Sequence, residues 1–97
     1  GVPSAVLCFT DTIAIGITRG LLEHGVRVPE QCEVIGLGDF PEAEDFKVAI
    51  STLRIPVDEI VSTAWEWLES RIKQPKLPSR YAKLPMPLIL RESTQNS

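Results

Sequence analysis

Two aspartates follow apolar runs directly, at positions where their carboxylates could form one site. Asp11 comes after the run Ala5 to Phe9, and Asp39 comes after the run Glu33 to Leu37 and a glycine. Both runs have the length and composition of buried strands. Because ligands gather where parallel strands deliver loops at their carboxyl ends, the two aspartates predict a small-molecule pocket at one edge of a sheet.

Catalysis by these two carboxylates would need partners that the sequence does not place near them. No glycine-rich phosphate loop follows the first run, and neither a histidine nor a lysine accompanies Asp11 or Asp39. Two cysteines and the single His24 do not make a metal-ligand set. We therefore expect a binding site without catalytic residues, metal or cofactor, and we retain a phosphoacceptor or enzyme domain only as a minor alternative.

The sequence leaves two roles open for each residue of the predicted pocket. Asp11 can contact a ligand or cap the helix that follows it, and Thr10 is equally suited to be that cap. Asp39 can shape the pocket or stabilise the turn that contains Phe40, and the Phe40 ring can stack on a ligand or fill local core.

The elements that must position these residues alternate along the chain. A helix with a stripe of Ile13, Ile17 and Leu21 follows the first strand and ends at Gly25. The later segments predict a strand over Ile50 to Ile55, a helix over Val57 to Lys73, an extended stretch over Tyr81 to Leu90 and a frayed polar tail from Arg91. This order favours an α/β protein with helices on the faces of a sheet, its first strand buried on both faces.

Composition narrows the class of protein further. The net charge is −3 over 97 residues, and the basic residues are scattered, which argues against nucleic-acid binding by this segment. No apolar run approaches the roughly 20 residues that span a bilayer. Cys8 and Cys32 lie among apolar residues, so we expect buried thiols in a reducing cytoplasm.

Five segments in register resemble the LacI/GalR-type bacterial transcription regulators. Singly each motif is weak, but they fall in the family's order and spacing over nearly the whole chain. They are Pro3-Ser-Ala-Val-Leu-Cys-Phe-Thr-Asp-Thr-Ile-Ala-Ile-Gly16, Leu22-Glu-His-Gly-Val-Arg-Val-Pro-Glu30, Val34-Ile-Gly-Leu-Gly-Asp39, Ser51-Thr-Leu-Arg-Ile-Pro56 and Leu90-Arg-Glu-Ser93.

The resemblance implies a parallel-sheet α/β sandwich of the periplasmic-binding-protein-like type, with two lobes and a ligand between them. The chain would be the carboxyl-terminal part of that fold. Residues 1–50 would belong to the second lobe, 51–79 would cross to the first lobe with a helix, and 80–97 would form a returning strand and tail. We expect the isolated chain to dimerise or exchange segments to complete its sheet, because it leaves one side of the Val57 helix and the edge of the first strand unpaired.

The function that the resemblance implies is binding of a sugar or sugar-acid effector by a dimeric transcription regulator. Such regulators contact operator DNA through an amino-terminal helix-turn-helix, which this chain does not contain. A transport-associated periplasmic sugar-binding protein of the same fold is the alternative.

Individual positions of the site also follow from the resemblance. The family commonly places Asn at Thr10, Asp at Gly38 and Gln at Ile55, so hydroxyl-binding groups are fewer here, whereas Asp11 and Asp39 are retained. Loss of a carboxylate at Gly38 favours an anionic effector such as a sugar acid. The resemblance assigns ligand contacts to Thr10, Asp11, Gly38, Asp39, Phe40 and Ile55, and a dimer contact to Ile15, Arg19 and Leu22.

Overall fold

The computed structural model describes residues 1–95, which form four strands and three helices. Contacts divide the chain into two compact units, one of Gly1–Ile55 with the segment from Pro87, the other of Pro56–Met86. None of the helices in residues 1–95 is both long and apolar enough to cross a membrane. The elements are β1 (Ala5–Leu7), α1 (Asp11–Glu23), β2 (Glu33–Gly38), α2 (Pro41–Asp45), β3 (Ser51–Arg54), α3 (Val57–Lys73) and β4 (Leu88–Ile89).

The first unit is built on one sheet with the strand order β1-β2-β3-β4. β1, β2 and β3 run parallel, and β4 pairs antiparallel to β3. Residues 51–54, which the resemblance places at the start of a crossover, therefore lie in this sheet beside β2. The carboxyl ends of the three parallel strands share one edge, as the sequence predicted for the first two.

Helix α1 begins and ends at the predicted residues. The Thr10 hydroxyl accepts a hydrogen bond from the Ile13 backbone nitrogen at 3.2 Å, and Gly25 beyond the helix takes a φ of 77°. The predicted stripe is confirmed in part: Ile17 and Leu21 pack against the core, but Ile13 is 47% exposed, and the small Ala14 and Thr18 are fully buried. These small residues face the sheet and allow the helix to pack closely on it.

Strand β1 is not buried on both faces, contrary to the prediction. Cys8 is buried in a cluster against which Val6 packs, while Leu7 and Phe9 are 72% and 81% exposed. Successive side chains of a strand alternate between faces, and the buried cluster covers only one face of β1. The buried members of this core are Cys8, Ala14, Val28, Val34, Ala43 and Ile50.

The carboxyl-terminal segment is ordered by buried hydroxyls, although the sequence predicted fraying. The Ser93 backbone is hydrogen-bonded to β2, since Val34 N–H donates to the Ser93 carbonyl at 2.9 Å. The Ser93 hydroxyl accepts from Ser51 N–H at 2.7 Å, and Ser51 and Thr94 share a hydroxyl hydrogen bond of 2.7 Å. The predicted tail at residues 96 and 97 lies outside the described residues.

The second unit consists of α3 and the chain that follows it. α3 has the predicted bounds, but none of its residues is buried. Arg71 donates to the carbonyls of Pro75, Leu77 and Pro78, and Arg80 stacks on the Trp67 ring at 4.8 Å.

The predicted extended stretch over Tyr81 to Leu90 contains only the two-residue strand β4. Pro85 and Pro87 carry no backbone N–H, so they cannot donate to a sheet ladder. The predicted extended stretch therefore lacks two backbone hydrogen-bond donors. β4 begins directly after the second proline, at Leu88.

Candidate functional site

The predicted pocket residues lie at the carboxyl ends of β1, β2 and β3. Thr10 and Asp11 follow β1, Gly38 ends β2 and is followed by Asp39 and Phe40, and Ile55 follows β3. Four of them, Asp11, Gly38, Asp39 and Phe40, belong to one network of direct contacts. Thr10 and Ile55 stand beside that network, Thr10 with its hydroxyl on the α1 backbone and Ile55 half-buried.

Asp11 is a structural residue in this network. It is fully buried, and its two oxygens accept from different segments: Oδ1 from the Thr52 hydroxyl at 2.6 Å and Oδ2 from Phe40 N–H at 2.7 Å. Thr52 Oγ1 in turn accepts from Asp39 N–H at 3.2 Å. One carboxylate therefore joins the start of α1, the turn after β2 and strand β3. Its burial does not support the predicted ligand contact, and Thr10 supplies the helix cap.

Two glycines of β2 make room for these contacts. A Cβ at Gly36 would collide with Asp11 Oδ1 and would lie 3.0 Å from its Cα. Gly38 has a φ of 124°, and a Cβ there would lie 3.2 Å from the Phe40 ring. Gly36 thus allows Asp11 to approach the sheet, and Gly38 lets the Phe40 ring fold back over the end of β2.

Asp39 is held by two arginines. Its Oδ2 accepts from Arg54 Nε at 2.8 Å and its Oδ1 from Arg91 Nη2 at 2.7 Å. The hydrogen bonds from Arg54 and Arg91 hold the pKa of Asp39 below its ordinary value of 3.8, against the opposing effect of burial. Asp39 has a φ of 58°, a left-handed conformation that aspartate tolerates better than most residues.

The two arginines differ in their surroundings, and the sequence did not single out either of them. The Arg91 side chain is 14% exposed and also donates from Nη1 to the Ile50 carbonyl at 3.0 Å, so it locks the tail to the sheet. The Arg54 side chain is 54% exposed. In the sequence, Arg54 is recognisable only as a basic residue at a strand end and Arg91 only as a basic residue in the last motif. That both pair with Asp39 cannot be predicted without knowing the order of the strands in the sheet.

The predicted dimer residues lie beside an open groove between α1 and α2. Ile15 and Arg19 line it, and the Arg19 guanidinium lies 5.5 Å from the centre of the Phe46 ring. Leu22 is half-buried one turn further along α1. Glu42 and Asp45 of helix α2 form the other side of the groove.

Cys8 and Cys32 are both buried and free, as predicted. Burial raises the pKa of the Cys8 thiol above its ordinary value of 9.0, with a further contribution from Cys32. Buried, free thiols of this kind act as small apolar side chains.

Comparison with known proteins assigns the chain to a family. A family described as the periplasmic binding protein-like domain matches residues 2–94. The HTH-type transcriptional repressor PurR of Vibrio vulnificus is 33% identical over 93 residues, and the ribose operon repressor of Haemophilus influenzae is 35% identical over 91 residues. These alignments cover 96% and 94% of this chain but only 28% and 27% of the relatives, so the chain spans less than a third of their length.

Solved structures give the same result for the fold. A LacI family transcriptional regulator from Enterococcus faecium, solved with bound ribose, superposes with a TM-score of 0.80 at 30% identity. The superposition covers 97% of this chain and 35% of that protein. The chain therefore belongs to the periplasmic binding protein-like domain family, in the form found in LacI-type transcription regulators.

Proposed function

We propose that this chain is the effector-binding part of a ligand-responsive transcription regulator, and that the effector binds at the carboxyl edge of β1, β2 and β3. The observation that carries this proposal is the arrangement at that edge. A buried network fixes the turn after β2, and this turn presents the Phe40 ring, 45% exposed, to solvent. The similarity to transcription regulators, one of them solved with ribose, supports a carbohydrate-like effector.

Within this proposal the residues have distinct roles. Phe40 stacks on the effector, while Thr10 and Ile55 contact it from the ends of the neighbouring strands. Gly38 leaves space for the Phe40 ring, and Asp39 positions Arg54. Asp11 supports the turn from below and is not a contact residue, because it is buried.

The competing functions receive less support. The relatives named above are transcriptional repressors, which favours a regulator over a transport protein. The alternative of a phosphoacceptor or enzyme domain requires Asp11 and Asp39 to act as paired carboxylates. Asp11 is buried and both oxygens of Asp39 are bound by arginines, so neither acid is free for that chemistry.

We further propose that the regulator is a cytoplasmic homodimer that contacts operator DNA through a helix-turn-helix outside this chain. Ile15, Arg19 and Leu22 on α1 would form the subunit contact, because a symmetric pair buries the same patch from both subunits. Substitution of Ile15 by aspartate in the full-length protein should convert a dimer into a monomer in sedimentation equilibrium. The substitution Thr63→Asp on α3 is the control.

The effector proposal is tested by thermal shift on the full-length protein with ribose, sucrose, lactose and gluconate. A ligand that binds the native state raises the unfolding midpoint by mass action. We expect at least one compound to raise it, and we expect Phe40→Ala to abolish that shift. Tyr81→Ala, at an aromatic side chain 86% exposed in the other unit, should leave the shift unchanged. Equal shifts in both variants would place the effector elsewhere.

A further inference from the structure

Arg54 is the cationic side chain most directly connected to the candidate effector site. It ends β3 opposite Gly38 in the parallel register, and the Phe40 ring folds over that same glycine. Its backbone is fixed from the other side as well, because Arg54 N–H donates to the Pro87 carbonyl at 2.8 Å. The Arg54 backbone is therefore held within the sheet, next to the strand whose end carries Phe40.

Asp39 fixes the direction of the Arg54 guanidinium without using all of it. The hydrogen bond between them runs through Nε, at 2.8 Å. The two terminal nitrogens of the guanidinium take no part in this hydrogen bond. The Arg54 side chain is 54% exposed, so they can reach a ligand. The other oxygen of Asp39 is taken by Arg91, so the carboxylate is shared between two cations. Arg54 is thus held in place and is only partly neutralised.

Of the two acids in this network, Asp39 accepts from Arg54 only through Nε, and Asp11 is not exposed at this edge. Asp11 lies beneath the turn, fully buried, and its oxygens are taken by Thr52 and Phe40. The residues at this edge therefore offer a partly exposed aromatic ring, that of Phe40, and the guanidinium donors of Arg54. A planar guanidinium matches the oxygens of a carboxylate or phosphate better than it matches a neutral hydroxyl.

We propose that Arg54 is a specificity-determining residue whose terminal guanidinium nitrogens bind an oxyanion group of the effector, either a carboxylate or a phosphate. This inference rests on the proposed effector-binding function and deepens it, because it makes the effector anionic. The Phe40 ring covers the apolar face of the same molecule. Asp39 is then a positioning residue, which acts on the effector through Arg54.

The test uses the full-length protein and matched sets of compounds: glucose, gluconate and glucose 6-phosphate, with ribose, ribonate and ribose 5-phosphate. We expect an anionic member to bind in calorimetry while its neutral counterpart does not. The carboxylate and phosphate arms identify which oxyanion is recognised. Arg54→Gln should weaken that binding by about 10- to 100-fold, the range expected for loss of a charge-assisted hydrogen bond. Arg54→Lys should recover part of it.

Arg80→Gln is the matched control, since Arg80 lies on the Trp67 ring in the other unit. Thermal unfolding midpoints measured without ligand verify that each variant folds. Tight binding of a neutral sugar that Arg54→Gln leaves unchanged would overturn the inference and leave the proposed function standing. Failure of all these compounds and of the neutral disaccharides to bind the wild-type protein would count against both.

Discussion

Asp11 joins three segments of the first unit with one buried carboxylate. Replacement by alanine would leave the Phe40 N–H and the Thr52 hydroxyl without their acceptor. We expect Asp11→Ala to lower the free energy of unfolding by about 2–4 kcal/mol, since hydrogen bonds to charged groups are lost and buried donors stay unpaired. Urea denaturation of the full-length protein measures the change.

The control for this prediction is Glu69→Ala, at an exposed position of α3. It should change the free energy of unfolding by less than about 0.5 kcal/mol. Equal effects of the two substitutions would contradict the structural role of Asp11.

Asp39 gives the protein a pH dependence whose sign follows from its arginine partners. The pKa of Asp39 is lower in the folded protein than its ordinary 3.8, so its ionised form stabilises the fold. This contribution is complete above the unfolded-state pKa and is lost as the pH falls through the lower folded-state pKa. In urea denaturation, wild type should therefore exceed Asp39→Asn in stability at pH 6. The difference should shrink as the pH is lowered below about 4. A difference that grew on acidification would refute the assignment.

Strand β2 depends on the absence of a side chain at Gly36. Gly36→Ala should destabilise the first unit, because a Cβ there would collide with Asp11 and push α1 away from the sheet. Gly20→Ala is a matched substitution in α1, where a Cβ meets nothing within 4 Å. Alanine is favoured over glycine in a helix by about 0.8–1 kcal/mol, so Gly20→Ala should be neutral or stabilising. Thermal unfolding of both variants separates a steric effect from a general effect of adding a methyl group.

Helices and strands were predicted correctly where the local sequence pattern alone determines them. α3 has the predicted bounds because its apolar period is regular and Pro56 marks its start. The apolar stripe of α1 was predicted only in part: Ile17 and Leu21 pack against the core, but a pattern that favours large apolar residues also included the exposed Ile13. Packing against the sheet instead selected the small Ala14 and Thr18.

The candidate site was only partly predictable for a similar reason. The position of Asp11 and Asp39 at strand ends follows from the order of the strands along the chain. Their partners do not, since Arg91 lies 52 residues from Asp39 and meets it only through the sheet order and the path of the tail. The interpretation of Asp11 as a ligand contact or a cap missed its link to Thr52, which depends on β3 lying next to β2.

The molecule as a whole exposes a long apolar stripe on α3. The second unit buries none of the α3 side chains, and Trp65 and Ile72 are 63% and 70% exposed. Burying a large apolar side chain is worth about 1.5–3 kcal/mol, so covering this stripe would yield a substantial free energy. The stripe consists of Val57, Ile60, Val61, Trp65, Leu68 and Ile72.

We therefore expect the 97-residue chain, expressed by itself, to associate with a second copy of itself through this stripe. Sedimentation velocity over a dilution series should show dimers or exchanged assemblies that dissociate at low concentration. Leu68→Lys should weaken the association, because a charge would be buried in the contact. Glu59→Lys adds a lysine to the same helix outside the stripe and should leave the association intact. A monomer at every concentration would show that the stripe does not drive self-association. Equal effects of the two lysine substitutions on the association would lead to the same conclusion.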